Sequence, residues 1–475
     1  MSEALAVPPP RKLSFRSRFS FGFGSLAFGI KDGGFATFLL LFYNQVIGLP
    51  AASVGLAIMA ALVIEAFVDP LVGVLSDRTQ SRWGRRHPWM YASAIPVAVG
   101  WVLLWNPPAW GETATLFYLF GSALMVRVAL SLFEIPSVSL GPELSSDYDE
   151  RTKLFSYRYL FGWLGGLVML FLAFGVFLVP TPDNPNGLTN AAGYSSLALI
   201  GAIIMAAAIL LSALGLHHEI PRLPKADARK ATLLGHLREF RETVSNKAFV
   251  VLMAAGLFAY TAQGISFALS NYMYQFVWEF SAGTMQLVPV VLFVGAIMAF
   301  FVAPALSRGG DKAKAAMGLA LAYAALTAIP YILRLTGVLP PVGSNAQIAV
   351  LFGFFTASTA CGIAAFIIGG SMMADVVEDS ELRTGRRSEG VFFAGSFFVQ
   401  KLVGGLGIGV AGVILALAQF PEAARPGQVP VGTIDRMTIL FMALHFGSGL
   451  VAALCYRLFP FGRAEHEARL ARMTA

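Results

Sequence analysis

Apolar and polar positions alternate along this chain on the scale of whole helices, not of single turns. Apolar stretches of about twenty residues recur twelve times, centred roughly at residues 32, 64, 97, 128, 167, 203, 262, 293, 324, 360, 404 and 446, each long enough to cross a bilayer as a helix. Six precede and six follow one long hydrophilic connection, residues 217–247, which carries Arg222, Lys225, Arg229, Lys230, Arg238, Arg241 and Lys247. The pattern predicts an all-α integral membrane protein of twelve transmembrane helices in two six-helix halves. The expected organisation is an N-terminus over residues 1–18, a first bundle over 19–216, the connection over 217–247, a second bundle over 248–458 and a tail over 459–475.

Composition excludes a soluble globular protein. Only 13% of the residues are charged, against about 25% in soluble domains, and the mean hydropathy is +0.68. Of the 34 lysines and arginines, about 27 fall in the N-terminus, the even-to-odd turns, the connection and the tail, which the positive-inside rule makes cytoplasmic. Both termini are therefore expected inside. Only Arg334, Arg425 and Arg436 fall on the other side. The net charge of +7 is an inner-face charge that meets anionic lipid, and it gives no argument for nucleic acid. Cys361 and Cys455 lie in apolar helices and support neither a disulfide framework nor a metal site. The basic, proline-bearing start leads into a long helix, so no signal peptide is expected.

Charges remain at membrane depth: Lys31 and Asp32 in helix 1, Glu65 and Asp69 in helix 2, Arg127 and Glu134 in helix 4, Arg158 in helix 5 and Lys401 in helix 11. Each is costly there and is normally kept facing a bundle interior or an aqueous cavity. Glu65 and Asp69, four residues apart, point the same way, with Pro70 marking a local bend beside the second acid. Two carboxylates on one face suit a cation. Ser131 stands one turn before Glu134, whereas Arg127 lies toward the outer end of helix 4, where an extracellular gate or simple snorkelling is the expected reading. Glu134 and Arg158 either line a cavity or neutralise each other across adjacent helices. Carboxylates with a guanidinium suit a hydroxyl-rich solute, because charge-assisted hydrogen bonds are the strong ones. The glycines of helix 11 (Gly404, Gly405, Gly409, Gly412) and of helix 5 (Gly162, Gly166) read as close helix packing.

The string DPLVGVLSDRTQSRWGRRHPW, from Asp69 onward, resembles the helix 2–3 loop of the glycoside–pentoside–hexuronide:cation symporters, a branch of the major facilitator superfamily that includes melibiose permease. GPELSSDYDERTKL after helix 4 and ADVVEDSELRTGRRSEGVFF before helix 11 are similar to the same family's cytoplasmic loops. The resemblance implies the major facilitator fold, a sugar, glycoside or related polyhydroxylated solute, and coupling to sodium or a proton by alternating access. It implies a solute site of Lys31, Asp32, Glu134, Arg158 and Lys401, and a cation site of Glu65, Asp69 and Ser131, with sodium at Glu65 and Asp69. It also implies a cytoplasmic gate of Asp77, Arg78, Arg82, Glu143, Arg151, Arg383 and Arg386. Departures are visible. Glu65 and Glu134 stand where melibiose permease has aspartates, and Leu130 and Val138 replace aromatics, so galactoside specificity does not carry over. A cation-coupled lysolipid carrier of the same fold is the alternative. A membrane enzyme or sensor has little support, since no nucleophile elbow or metal-ligand spacing occurs and only His445 among the histidines lies at membrane depth. The expected protein is a monomeric symporter of the bacterial inner membrane, with no cofactor beyond its coupling ion.

Overall fold

Every apolar stretch is helical in the computed structural model, which describes residues 13–145, 148–182, 184–223, 245–307, 311–384 and 389–460. The first span is composite, Phe15–Phe23 then Ser25–Gly34, prolonged by π-helical turns at Phe35–Leu39 and Phe42–Val46. The second to sixth spans are Ala51–Arg78, His87–Leu104, Glu112–Leu144, Tyr148–Leu172 and Ala191–Leu216. The seventh to twelfth are Lys247–Tyr272, Ala282–Ser307, Lys312–Leu335, Asn345–Thr384, Glu389–Leu417 and Val431–Arg457. Among the described residues, nine helices are long and apolar enough to cross a membrane by length and composition. The first, third and eleventh spans complete the twelve. Polar side chains start several of them: Ser14, Asn190, Asn246 and Asp311 each accept a backbone N–H from the first helical turn, satisfying donors that a helix start leaves open.

Packing groups Met1–Phe35 with Ile64–Lys230 in one compact unit, and Ala36–Val63 with Ala231–Ala475 in another. In the first unit the first span lies against the fifth through glycine. A Cβ on Gly29 would fall 1.9 Å from the Gly162 carbonyl oxygen, and one on Gly165 would fall 2.3 Å from that of Leu26. In the second unit the seventh span meets the eleventh in the same manner, a Cβ on Gly407 falling 2.6 Å from the Gly264 Cα. Backbones approach this closely only where neither side carries a side chain. Close packing through glycine on the fifth and eleventh spans is thus present, but its tightest points are Gly165 and Gly407, whereas of the expected glycines Gly404 has nothing within 4 Å of a Cβ.

A second repeat is conformational. The first span ends with Ile47 N–H donating to Phe42 O at 3.0 Å and Leu49 N–H to Tyr43 O at 2.9 Å. The seventh ends with Trp278 N–H donating to Met273 O at 2.9 Å and Phe280 N–H to Tyr274 O at 2.8 Å. Corresponding residues are 231 apart (273 − 42, 280 − 49), and both turns pass through a left-handed residue, Gly48 at φ 84° and Glu279 at φ 49°. Only the first copy uses the residue that takes this conformation at no steric cost. Glu279→Gly is therefore expected to stabilise the protein by about 1 kcal/mol, read as a higher melting temperature in detergent. A lower one would show that the Glu279 side chain contributes more than its backbone costs.

Candidate functional site

Seven of the predicted intramembrane site residues lie in the first unit, on the first, second, fourth and fifth spans, and five of them form three ion pairs together with Arg127. Lys31 Nζ stands 3.9 Å from Asp32 Oδ1 and 4.6 Å from the centre of the Phe28 ring. Their exposures differ, with the lysine side chain 3% and the aspartate 59% accessible, so Lys31 is held inside and Asp32 presents its carboxylate outward. Arg158 Nη2 lies 3.5 Å from Glu134 Oε1 and its Nη1 donates to Ser137 Oγ at 3.2 Å. This pair is partly open, at 16% exposure for Glu134 and 11% for Arg158. The fourth span places these groups by register, since Ser137 is three residues beyond Glu134 and shares its face.

The third pair was not foreseen. Arg127 is buried and its Nη1 donates to Glu65 Oε2, with the guanidinium carbon 4.4 Å from the centre of the Phe35 ring. It neither snorkels nor reaches an outer surface. Phe35 opens the π-helical stretch of the first span and packs in turn on Trp101. The second and fourth spans meet at two points. Glu65 meets Arg127, and a Cβ on Gly73 would touch Ile135 at 3.6 Å. Both contacts are 62 residues apart (127 − 65, 135 − 73). The Ser131 hydroxyl is fully buried and has no hydrogen-bond partner among the described residues. A signal for Arg127 existed in the sequence: positions 127, 131 and 134 share a helical face. The backbone at Lys401 is helical, and its side chain is outside what the structure describes.

Between the second and third spans of the same unit, Arg86 is the centre of a charge cluster. Its Nε and Nη2 donate to Glu143 Oε1 at 3.2 and 3.0 Å, its Nη1 donates to Ser76 Oγ at 2.8 Å, and Asp77 pairs with it. Arg85 joins Glu143 at 2.8 Å and Asp77 at 3.7 Å. Of the expected gate residues, Asp77 and Glu143 thus meet on Arg85 and Arg86, whereas Arg78 and Arg82 are exposed, Arg82 lying over the Trp83 ring. The side chains of Arg151 and Arg383 are not described, and Arg386 lies outside the described residues. In the second unit Lys312 reaches Asp375 at 2.7 Å, a link between the ninth and tenth spans.

Glu150 fastens the start of the first span. It accepts from Arg18 Nε at 3.0 Å, from the Leu13 amide at 3.3 Å and from Lys153 Nζ at 3.0 Å. Burial alone would raise its carboxyl, but Lys153, the Leu13 amide and Arg18 outweigh it and hold the pKa below the ordinary carboxylate value. A carboxyl depressed in the folded state contributes stability above its unfolded pKa and loses it as pH falls through the folded value. A spin label at the exposed Phe15 position, in a background without Cys361 and Cys455, should be restrained at neutral pH and mobile in acid. Glu150→Gln should leave it mobile at both. A label indifferent to pH and to this substitution would refute the latch.

Known proteins match this arrangement along nearly its whole length. Residues 20–463 match the family described as MFS/sugar transport protein. The isoprimeverose transporter of Lactiplantibacillus pentosus is 24% identical over 443 residues, covering 93% of this chain and 88% of its own. A sodium-dependent lysophosphatidylcholine symporter of Danio rerio is also 24% identical, over 439 residues, covering 86% and 79%. Among solved structures, a D-xylose–proton symporter superposes with a TM-score of 0.64 at 14% identity, covering 94% of this chain and 97% of that one, which is a likeness of fold. A twelve-span helical chain matched from its first span to its last in this way belongs to the MFS/sugar transport family, and it has the major facilitator fold.

Proposed function

We propose that this protein is a secondary active transporter that moves a sugar, glycoside or related polyhydroxylated solute together with sodium or a proton. The observation that carries this reading is the Glu134–Arg158 pair, an acceptor and a donor 3.5 Å apart that keep part of their surface open. Vicinal hydroxyls offer the matching donor and acceptor at that spacing, and charge-assisted bonds to them repay the loss of water. Asp32 adds a second exposed carboxylate, and Lys31 and Lys401 complete the solute site. Glu65, Asp69 and Ser131 form the cation site, and the clusters around Asp77, Glu143 and Asp375 serve the cytoplasmic gate. The protein acts as a monomer without enzymatic activity in the bacterial inner membrane, both termini inside. Its positive inner-face turns support that orientation.

The test is thermal stabilisation and liposome uptake against a panel of sugars, glycosides and lysolipids, with and without sodium. A sugar or glycoside should raise the melting temperature and enter the liposomes, and Glu134→Gln should abolish both while the protein still folds. Stabilisation and uptake by lysolipids alone would replace this reading with a lysolipid carrier, which the similarity to the lysophosphatidylcholine symporter makes the one alternative worth including.

A further inference from the structure

Two arginines open the first span, and only one of them is neutralised. Arg18 pairs with Glu150. Arg16, in the first helical turn, is exposed and has no carboxylate partner among the described residues. A lone cation is unfavourable there, because the start of a helix carries the positive end of its dipole, and an anion at this point would relieve both charges. Arg16 stands at the mouth of a groove of about 310 Å³ between the first and sixth spans, the lower end of the range for ligand sites. Phe19 and Phe23 form one wall, Leu211 and Leu214 the other, and Ser20 with Gly215 the floor. Phe19, Leu211 and Leu214 are exposed, as suits a face that meets hydrocarbon.

The aromatic wall is fixed without help from a ligand. Phe19 stacks on Phe23 with centroids 5.3 Å apart, and both rings meet Phe161 of the fifth span edge-on, at 5.1 and 5.4 Å. A preformed slot needs little ordering when it is filled. Ser20 follows Arg16 by four residues, so it shares the face of the helix about 6 Å deeper. Gly215 lets the two spans close beneath it, since a Cβ there would fall 2.1 Å from the Ser20 Oγ. Along the groove the order is guanidinium, hydroxyl, apolar slot.

We propose that this groove binds an anionic glycerophospholipid, its phosphate at Arg16, an ester carbonyl at Ser20 and an acyl chain between the two apolar walls. A guanidinium matches the geometry of phosphate oxygens, and basic pockets between spans at the membrane surface select anionic headgroups. A soluble anion would leave the slot empty, and a sugar would find little to bond in it; a lipid uses both ends. The assignment goes beyond the transport reading and requires only that the chain spans a membrane.

The test follows melting of the purified protein in detergent as dioctanoyl phosphatidylglycerol is titrated, and again with phosphatidylcholine of the same chain length. Phosphatidylglycerol should stabilise the protein saturably, with an apparent Kd about fivefold or more below that of phosphatidylcholine. Arg16→Gln should raise the phosphatidylglycerol Kd about fivefold and leave phosphatidylcholine unchanged, since one cation at the membrane surface accounts for a difference of that size. Leu211→Ala combined with Leu214→Ala should weaken both lipids, and Arg222→Gln, at an exposed arginine beyond the sixth span, should affect neither. All four positions are exposed, so these variants are expected to fold. Equal affinity of the wild type for the two lipids, or equal losses from Arg16→Gln and Arg222→Gln, would overturn the proposal in favour of general lipid contact or general surface charge. A response that neither Arg16→Gln nor the leucine pair alters would put the lipid elsewhere and overturn it too. So would a response seen only after removal of residues 1–12, which would assign the groove to the chain's own start.

Discussion

Neutralising Glu65 or Arg127 alone is expected to cost the folded protein about 3–5 kcal/mol, and neutralising both together should recover most of that loss. The asymmetry follows from burial. Each side chain has left water for the other, so a single substitution such as Glu65→Gln leaves an uncompensated guanidinium against Phe35. Removing both charges leaves two neutral amides and no buried charge. Unfolding in detergent, measured for Glu65→Gln, Arg127→Gln and the double variant, gives the coupling directly. Additive losses would mean that the two groups are stabilised by separate neighbours and that the contact is incidental.

Asp69→Asn should abolish accumulation of solute against a gradient while leaving exchange down a gradient measurable. An active carrier must let ion and solute favour the same conformations, which requires each to bind those states differently. Asparagine at this position imitates the protonated acid permanently, so the cycle loses its dependence on the ion without losing the groups on the first, fourth and fifth spans that would hold the solute. Uptake into proteoliposomes with and without an imposed ion gradient, beside counterflow with internal solute, separates the two behaviours. Normal accumulation by Asp69→Asn would remove Asp69 from the coupling step.

All twelve spans were legible in the sequence because an apolar run of bilayer length has few other solutions, and each predicted centre falls inside an observed helix. The π-helical turns were not legible. A five-residue hydrogen-bonded turn has no composition of its own, and Phe35–Leu39 reads as ordinary apolar helix. Glu134 and Arg158 were recognised as partners from their helices alone. Glu65 and Arg127 were not, since which faces of the second and fourth spans meet depends on a register between helices that helical periodicity within either one leaves open. The cluster around Arg86 shows a milder form of the same limit. The motif announced its acids and its row of arginines, but the choice of Arg85 and Arg86 over Arg78 and Arg82 is made by the bend of the chain after the second span, where Gly84 takes φ 73°.

The Glu65–Arg127 contact also bears on how the chain is made. Its two halves are 62 residues apart, and at ribosomal rates that separation is roughly 3–12 s of synthesis. For that interval the second span must reside in or beside the translocon with Glu65 and Asp69 inside it and no Arg127 yet produced, at about 2.5–3.5 kcal/mol for each acid on the insertion scale. The strongly apolar remainder of Ala51–Arg78 is what lets the segment insert at all. Lasting residence in lipid waits for the fourth span. Nascent chains arrested between the second and fourth spans are therefore expected to stay within reach of membrane quality-control proteases, and chains released after the fourth to escape them.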